Sequence, residues 1–564
     1  MKDSVRTTSE FNISRNGMRS FKIIWKGPVE EAPCKQGCPA GVDIPRYIRL
    51  ISEGKFEDAL AVIKEKIPFP GVVGRVCPHP CEIKCWRSEI DEPIAVNALK
   101  RCAADNMICA ISNRWSGNKS TGKGVAIVGS GPAGLTAAYY LAKVGGHSAT
   151  VFEASPKPGG MMRDGIPDYR LPKDILEAEI EAIQNVGVDI KTNTDIKSID
   201  KLFEEGYDAV FLAMGAKRSL KMGIEGEDLT GVLDGLSFLR EVNSGKKFNL
   251  GTKVAVIGGG NLAVDSARTA LRLGSKEVVI AYRRSKEEMP ASFAEVEDAI
   301  FEGVKMCFLT VPESINKTNG KLKLNCMRVE LGAPDASGRR RPIPIQGSKF
   351  SMDLDSIISA IGYVPDVPKN FNLRVNGENT LQVNPDTLAT NREGVFAGGD
   401  VVSGPTSVIL AIAAGRKAAA SIDKYLGGSG VISEDLAFWR IPASTTWEES
   451  ILNIPRNKMP LLDDQKRNSS FGEVELGFTK EMAMIEAKRC IKCGQRIQIR
   501  VNVDLCRNCS TCQMVCSLTY QGVFNPANSK IVIEADKIGY KDNCVGGCSL
   551  CIDYCPYGVL ERLG

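Results

Sequence analysis

Histidine is nearly absent: the chain of 564 residues has two, His79 and His147. Catalysis centred on an imidazole base is therefore not expected. No apolar run approaches the roughly 20 residues that span a bilayer, and the opening MKDSVRTTSEFNISRNG lacks the apolar stretch of a secretory signal. Both gaps point to a cytoplasmic protein with no membrane span. Charge of one sign is not in excess either, because a net +5 over this length argues against nucleic-acid or membrane-surface binding. Low-complexity segments are missing too. Hydrophobic residues at 43% and charged residues at 25% describe an ordinary globular chain, long enough for roughly three to five packed units.

Cysteine is scarce only in the middle. Of 19 cysteines, all but Cys307 and Cys326 lie before position 110 or after position 489. In a chain without a secretory signal, that clustering favours metal sites at both ends over disulfides.

Residues 1–120 read as short helices around cysteine-bearing turns, broken at Pro28, Pro33, Pro45, Pro68 and Pro70. From Val125 the texture alternates between helix and strand-like VAIV (125–128), ATVFE (149–153), DAVFLAMG (208–215), KVAVIG (253–258) and EVVIAY (277–282). Such alternation predicts doubly wound parallel sheets.

Two glycine-rich turns punctuate this region. The first, VAIVGSGPAGLTAAYYLAKVGG, places Gly129, Gly131 and Gly134 between a strand and a helix. The three permit, in turn, a tight turn, close approach of a pyrophosphate, and packing of helix on strand. The helix N-terminus then faces the phosphates. Glu153 ends the next strand, about 20 residues on, where an acid that binds ribose belongs. The second turn, KVAVIGGGNLAVDSARTALRLG, has Gly258, Gly260 and Ala263 in the same roles, with Asn261 opening the helix. Its following strand ends in Tyr282, Arg283 and Arg284 rather than an acid. An arginine there can fork onto a 2′-phosphate, which favours NADPH, with NADH possible; alternatively the pair forms an exposed basic edge.

The tail reads C-R-N-C-S-T-C-Q-M-V-C (506–516) and C-V-G-G-C-S-L-C-I-D-Y-C-P (544–556), close to the two-cluster bacterial ferredoxin pattern in which each run's fourth cysteine ligates the other cluster. Cys506, Cys509, Cys512 and Cys555 are assigned to one [4Fe–4S] cluster, and Cys516, Cys544, Cys548 and Cys551 to a second. Two structural zincs are the alternative, though zinc ribbons usually separate their C-x-x-C pairs by a longer loop.

The segments after the first turn, PGGMMRDGIPDYRLP and GVFAGGDVVSGPTSVILAIAAGRKAA, resemble two-dinucleotide flavoproteins of the disulfide-reductase type. That likeness implies FAD on the first turn, with Gly160, Gly399 and Asp400 beside it. No C-x-x-C lies between residues 110 and 489, so thioredoxin reduction is not expected. The N-terminal PCKQGCPAGVDIPRYI (33–48) and GRVCPHPCEIKC (74–85), taken with the two turns, resemble the small subunit of NADPH-dependent glutamate synthase. A similar module occurs in dihydropyrimidine dehydrogenase and in the larger subunit of NADH-dependent ferredoxin–NADP reductase. The resemblance covers about residues 30–430. It implies clusters on this domain, the first two ligands coming from an E-A-x-R-C-x-x-C segment. Here that segment is displaced to EAKRCIKCGQ (486–495). By the family pattern, Cys34, Cys85, Cys490 and Cys493 form one cluster across the chain. Cys38, Cys77 and Cys81 hold another, with Cys102 a candidate fourth ligand. The bland alternatives are that Cys102 is a buried helix residue, like Cys109, and that Cys490 and Cys493 are a separate zinc pair.

The expected fold is thus α/β, with two Rossmann-like FAD and NAD(P) domains, a helical N-terminal iron–sulfur domain and a C-terminal ferredoxin-like α+β domain. The expected units are 1–120 (clusters), 121–245 and 351–430 (two parts of the FAD domain), 246–350 (NAD(P)H), 431–499 (connecting arm) and 500–564 (ferredoxin-like). The resemblance implies an NAD(P)H-dependent oxidoreductase subunit with FAD and four [4Fe–4S] clusters. It would exchange electrons with ferredoxin or a partner redox subunit in a hetero-oligomer. Partners of such modules include glutamate synthase, formate dehydrogenase, hydrogenase, aldehyde oxidoreductase and aryl-CoA reductase. A flavin-based bifurcating subunit, a glutamate synthase small subunit and a non-catalytic cluster-bearing scaffold are the rival readings.

Overall fold

The computed structural model describes residues 32–107, 120–318, 320–335, 338–377, 379–432, 453–491 and 513, and the backbone of strands at 7–13, 19–25, 498–502, 531–534, 537–540 and 560–563.

Two parallel sheets form the centre. The first orders its strands Val395–Ala397, Ala209–Leu212, Gly124–Val128, Ser148–Phe152 and Asp189–Lys191. Its middle strands are apolar on both faces, as a sheet covered on both sides requires. The helices Pro132–Lys143 and Val408–Tyr425 pack against each other, and Gly415 allows the contact: a Cβ there would sit 2.3 Å from the Ala133 carbonyl oxygen. The second sheet runs Lys305–Cys307, Glu277–Ala281, Lys253–Ile257, Ser356–Ser359 and Val232–Asp234. Because Val395–Ala397 returns to the first sheet, the second is inserted within it. Two of its strands, Val232–Asp234 and Ser356–Ser359, lie outside the 246–350 span expected for that unit. A three-stranded antiparallel sheet, Thr310–Thr318, Lys321–Pro334 and Arg340–Leu354, rides on the inserted unit.

The N-terminal domain is built from short helices that start at prolines. Pro33–Gln36, Ile44–Ser52, Pro70–Val76 and Pro80–Ile83 all carry proline in the first turn, where its missing N–H leaves no hydrogen bond unmade. In Ile44–Ser52 the side chains of Ile44, Tyr47, Ile48 and Ile51 recur at helical spacing and are buried. Their core is continuous with that of the first sheet. The cysteine domain is therefore seated on the first nucleotide unit.

An arm, 453–491, then crosses back. Arg467 of the arm and Arg268 and Arg272 of the second unit converge on Glu302. Arg268 Nη2 donates to Oε1 at 2.6 Å, Arg272 Nη1 to Oε2 at 2.7 Å and Arg467 Nε to Oε1 at 2.9 Å. Tyr169 of the first unit lies under Arg268 and Arg272, its ring centroid 4.9 and 3.9 Å from their guanidinium carbons. Burial opposes ionisation of Glu302, but hydrogen bonds from Arg272 and Arg268 outweigh it and bring the carboxyl down to about 2. Three units are thus locked at one buried ion cluster.

The chain ends share a sheet. Thr7–Ile13 and Arg19–Trp25 form an antiparallel hairpin, Gln498–Asn502 pairs with its second strand, and Leu560–Leu563 closes the order. Residues 1–120 are therefore not helical throughout: the alternation in RSFKIIW, rich in β-branched and aromatic residues, makes a strand.

Candidate active site

The first nucleotide turn leaves no room for side chains where the chain folds on itself. Gly129 has φ +106°, and a Cβ on it would lie 2.5 Å from the Ala213 carbonyl oxygen; a Cβ on Gly134 would lie 2.0 Å from the Gly129 carbonyl oxygen. Gly131, by contrast, faces open space. A Cβ on Gly160 would press on Gly131 at 2.8 Å, so this second glycine shapes the same floor. The cradle fits a pyrophosphate resting on the helix that begins at Pro132.

Glu153 is buried and holds the turn. Its Oε2 accepts from Ser130 N at 3.0 Å and Ser130 Oγ at 2.5 Å, and its Oε1 accepts from Ser155 N at 2.8 Å. Burial opposes its charge. Lys217, with Nζ at 3.7 Å, and the Ser130 and Ser155 hydrogen bonds prevail and keep the carboxyl below its usual range. An ionised acceptor facing the cavity suits ribose hydroxyls. Asp400 follows Gly399 (φ +76°) and accepts from Thr406 N at 3.2 Å and Thr406 Oγ1 at 2.9 Å. Burial raises its carboxyl.

The second turn repeats the device. A Cβ on Gly258 (φ +146°) would lie 2.2 Å from the Ala360 carbonyl oxygen, whereas Gly260 meets only Pro290 at 3.8 Å. Asn261 Oδ1 accepts from Ser292 N at 3.3 Å, and Ala263 is buried against the sheet. The two arginines part company. Arg283 is exposed, while Arg284, 2% exposed, donates Nε to the Arg340 carbonyl at 2.7 Å and Nη2 to Asp335. Sequence gives no sign of that capture, because Asp335 arrives from the antiparallel sheet.

Both turns open onto one cavity of about 300 Å³, lined by Gly131, Glu153 and Asp400 on one side and by Asn261, Asp265 and Glu295 on the other. Cys77, Pro78 and His79 of the N-terminal domain also line it. Cys77 caps the helix Pro70–Val76, whose first N–H groups are held from the first nucleotide unit: Glu179 accepts from Gly71 N at 2.6 Å and Val72 N at 2.9 Å. Burial pushes the Glu179 carboxyl up to about 7. The His79 N–H donates to Cys77 Sγ at 3.3 Å, a neighbour's role.

The thiols sort into two sets. Cys34, Cys85 and Cys490 line one small cavity, with Trp86 and Ile94. Cys38, Cys77 and Cys81 line another, with Tyr47 and Lys100. Among the described residues, no three Cys, His, Asp or Glu side chains stand close enough to hold a single metal ion; the thiols are spread around each space. A soft donor set of thiolates in an apolar shell is the chemistry of iron–sulfur ligation. Burial pushes the Cys81 thiol up to about 12, a preference that coordinated iron would invert. Cys102 lies elsewhere: its Sγ is 3.8 Å from the Thr479 carbonyl oxygen and 3.4 Å from Asn106 Nδ2, and Lys100, 7% exposed, faces the second set instead. Cys109, Cys493 and the tail cysteines Cys506, Cys509, Cys512, Cys516, Cys544, Cys548, Cys551 and Cys555 lie outside the described residues.

Cys490 is placed by its neighbours in EAKRC. Glu486 and Arg489 are both fully buried and paired at 2.7 Å. Glu486 also accepts from Ala95 N at 2.9 Å and Asn457 N at 2.8 Å, and Arg489 donates to Asp91 at 3.0 Å and to the Glu92 carbonyl at 2.8 Å. Glu486 and Arg489 thus clamp the arm onto the cysteine domain.

Paired nucleotide turns, an inserted second sheet and a cysteine domain opening into the shared cavity define a pyridine-nucleotide flavoprotein with iron–sulfur centres. The chain belongs to the pyridine nucleotide-disulphide oxidoreductase family, whose model matches residues 123–415, and residues 28–110 match dihydropyrimidine dehydrogenase domain II, a 4Fe-4S cluster domain. It is 43% identical over 503 residues to the NADP(+)-dependent formate dehydrogenase subunit beta of Moorella thermoacetica, covering 83% of this chain and 71% of that one. It is 40% identical over 518 residues to the NADPH-Fe(3+) oxidoreductase subunit beta of Geobacter sulfurreducens, covering 82% and 75%. With the glutamate synthase [NADPH] small chain of Escherichia coli it shares 35% over 422 residues, covering 70% and 88%. The resemblance to the glutamate synthase small subunit is borne out, and the protein is an NAD(P)H-dependent electron-transfer oxidoreductase with FAD and iron–sulfur sites.

Proposed function

We propose that the chain links NADPH to one-electron carriers through FAD and four [4Fe–4S] clusters, and delivers to a partner subunit such as a formate dehydrogenase. Flavin, when bound, supplies the conversion between a hydride and single electrons. The protein's part is placement. Gly129, Gly131, Gly134, Gly160, Glu153, Gly399 and Asp400 seat the flavin nucleotide. Gly258, Gly260, Asn261 and Ala263 seat NADPH, with Arg283 as the group that meets its 2′-phosphate. One observation carries the reading: Cys77 lines both the nucleotide cavity and the space ringed by Cys38 and Cys81. Cys81 sits in the short helix Pro80–Ile83 and Cys85 follows just after its end, so the two thiol sets are neighbours. Cys490 and, beyond the described residues, Cys493 complete the set begun by Cys34 and Cys85. Cys38, Cys77, Cys81 and Lys100 line the space nearest the flavin, with Cys102 turned away from it. Among the described residues no helix is long and apolar enough to cross a membrane, and the proposed location is the cytoplasm.

Anaerobic iron, sulfide and flavin analysis tests this. The proposal expects about 16 iron atoms per flavin, four for each of four clusters. A chain ending before Glu481 should lose the tail clusters and the one that needs Cys490. Two N-terminal clusters retained in that shorter chain would refute the cross-chain assignment.

A further inference from the structure

Every cysteine of the tail lies between two described strands, Gln498–Asn502 and Leu560–Leu563, which pair with each other from Gln498↔Leu563 to Val501↔Leu560. The other edge of Gln498–Asn502 is taken by the N-terminal strand Arg19–Trp25, in register from Gln498↔Ile24 to Asn502↔Ser20. Thr7–Ile13 then forms the outer strand. The hairpin thus covers a backbone edge that a short tail sheet would otherwise present unpaired.

The links from this sheet to the rest of the protein are short, and they converge. Six residues, 26–31, join Trp25 to Ala32, two positions before Cys34. Six more, 492–497, join Ile491 to Gln498, and Ile491 directly follows Cys490. Cys34, Cys490 and Ile491 line the same cavity. Because Gln498 is opposite Ile24, both links leave from one end of the sheet. Each bridges seven Cα–Cα steps, a reach of about 25 Å at most. Two short tethers between the same two ends hold a body far more closely than one.

We infer that the N-terminal hairpin is a clasp: it pairs with the opening strand of the cysteine-rich tail and, by its own tether, pins that tail beside the Cys34/Cys85/Cys490 site. The inference rests on the proposed electron route only for its purpose; the pairing stands or falls without it. The tail then receives electrons from that site as a fixed neighbour, not as a module on a single linker.

Three variants of the whole holoprotein test the clasp. Removing residues 2–25 should raise amide hydrogen exchange of residues 498–502 at least tenfold. It should also slow NADPH-driven reduction of the tail clusters at least tenfold by electron paramagnetic resonance, while dithionite still reduces them and NADPH still bleaches the flavin. Unchanged exchange at 498–502 overturns the clasp. Should removal of the hairpin cost the tail its iron, the paired substitution Ser20→Cys with Asn502→Cys decides. Directly opposite residues are within disulfide reach, so anaerobic thiol oxidation should link peptides containing 20 and 502. The offset pair Ser20→Cys with Arg500→Cys should link at least tenfold less. Equal or absent linkage overturns the register. A chain that cross-links yet holds no iron refutes the proposed function and leaves the clasp intact.

Discussion

Arg283 and Arg284 are adjacent in sequence and look interchangeable, but substituting them should have opposite consequences. Arg283 is exposed at the end of the strand that follows the second nucleotide turn. Arg284 is buried, with its guanidinium on Asp335 and the Arg340 carbonyl. A charge-assisted hydrogen bond contributes about 1.5–3 kcal/mol. Solvent and salt screen an exposed guanidinium, so the lower half of that range applies to Arg283. Arg283→Gln should therefore raise KM for NADPH by about 10–40-fold, at 1.36 kcal/mol per tenfold, and leave KM for NADH within about twofold. Arg284→Gln should leave the NADPH/NADH ratio unchanged. Because it removes the buried guanidinium's bonds to the half-buried Asp335 and the Arg340 carbonyl, it should lower stability by about 1–3 kcal/mol. The assay is anaerobic reduction of a viologen dye with each nucleotide, alongside a thermal melt of each variant. If Arg283→Gln weakened both nucleotides equally, or if Arg284→Gln selectively impaired NADPH at wild-type stability, the assignment would be wrong.

Glu302→Gln should cost about 3–5 kcal/mol, since it leaves Arg268, Arg272 and Arg467 buried around a neutral amide; denaturant titration measures it. The carboxyl stands at about 2 against 4.5 for a free glutamate, so Glu302 contributes about 3 kcal/mol. That contribution is present in full above pH 4.5 and lost as the pH falls through about 2; acid unfolding curves of wild type and variant should converge there. Lys100→Met removes a cation beside the Cys38/Cys77/Cys81 set. At an effective dielectric near 20, a charge about 4–10 Å away from a one-electron centre should on removal lower its midpoint potential by roughly 70–180 mV; a potentiometric titration that showed a rise would contradict the placement. Arg489→Met should cost the protein about four iron atoms per flavin by releasing Cys490, with the flavin content unchanged.

Local chemistry was legible where a residue's role depends on its own neighbours in sequence. The two glycine turns, Glu153 at its strand end and the insertion of one sheet into the other all follow from patterns a few residues long. The two thiol sets were also anticipated, though from family resemblance rather than spacing, since Cys34 and Cys490 are far apart in the chain. What stayed hidden depends on distant partners. Asp335 takes Arg284 from just beyond the strand Lys321–Pro334, whose alternation marks a strand but not where its end lands. Cys102 was a candidate ligand through the family resemblance, with Lys100 two positions before it. On a helix two positions are not neighbours, so Lys100 meets the thiols and Cys102 turns toward Thr479. The strand at Arg19–Trp25 falls in a region expected to be helical; besides its hairpin mate Thr7–Ile13, it is held by a strand at the far end of the chain. Glu302 could not be singled out either, because the three arginines it binds come from two separate units.

The central claim is that electrons leave the nucleotide cavity by way of Cys77, and Cys77→Ser tests it most directly. With NADPH under anaerobic conditions, the variant should bleach its flavin as fast as the wild type while the tail cluster signals stay oxidised, and dithionite should still reduce them. Tail clusters reduced by NADPH at the wild-type rate in that variant would contradict the account.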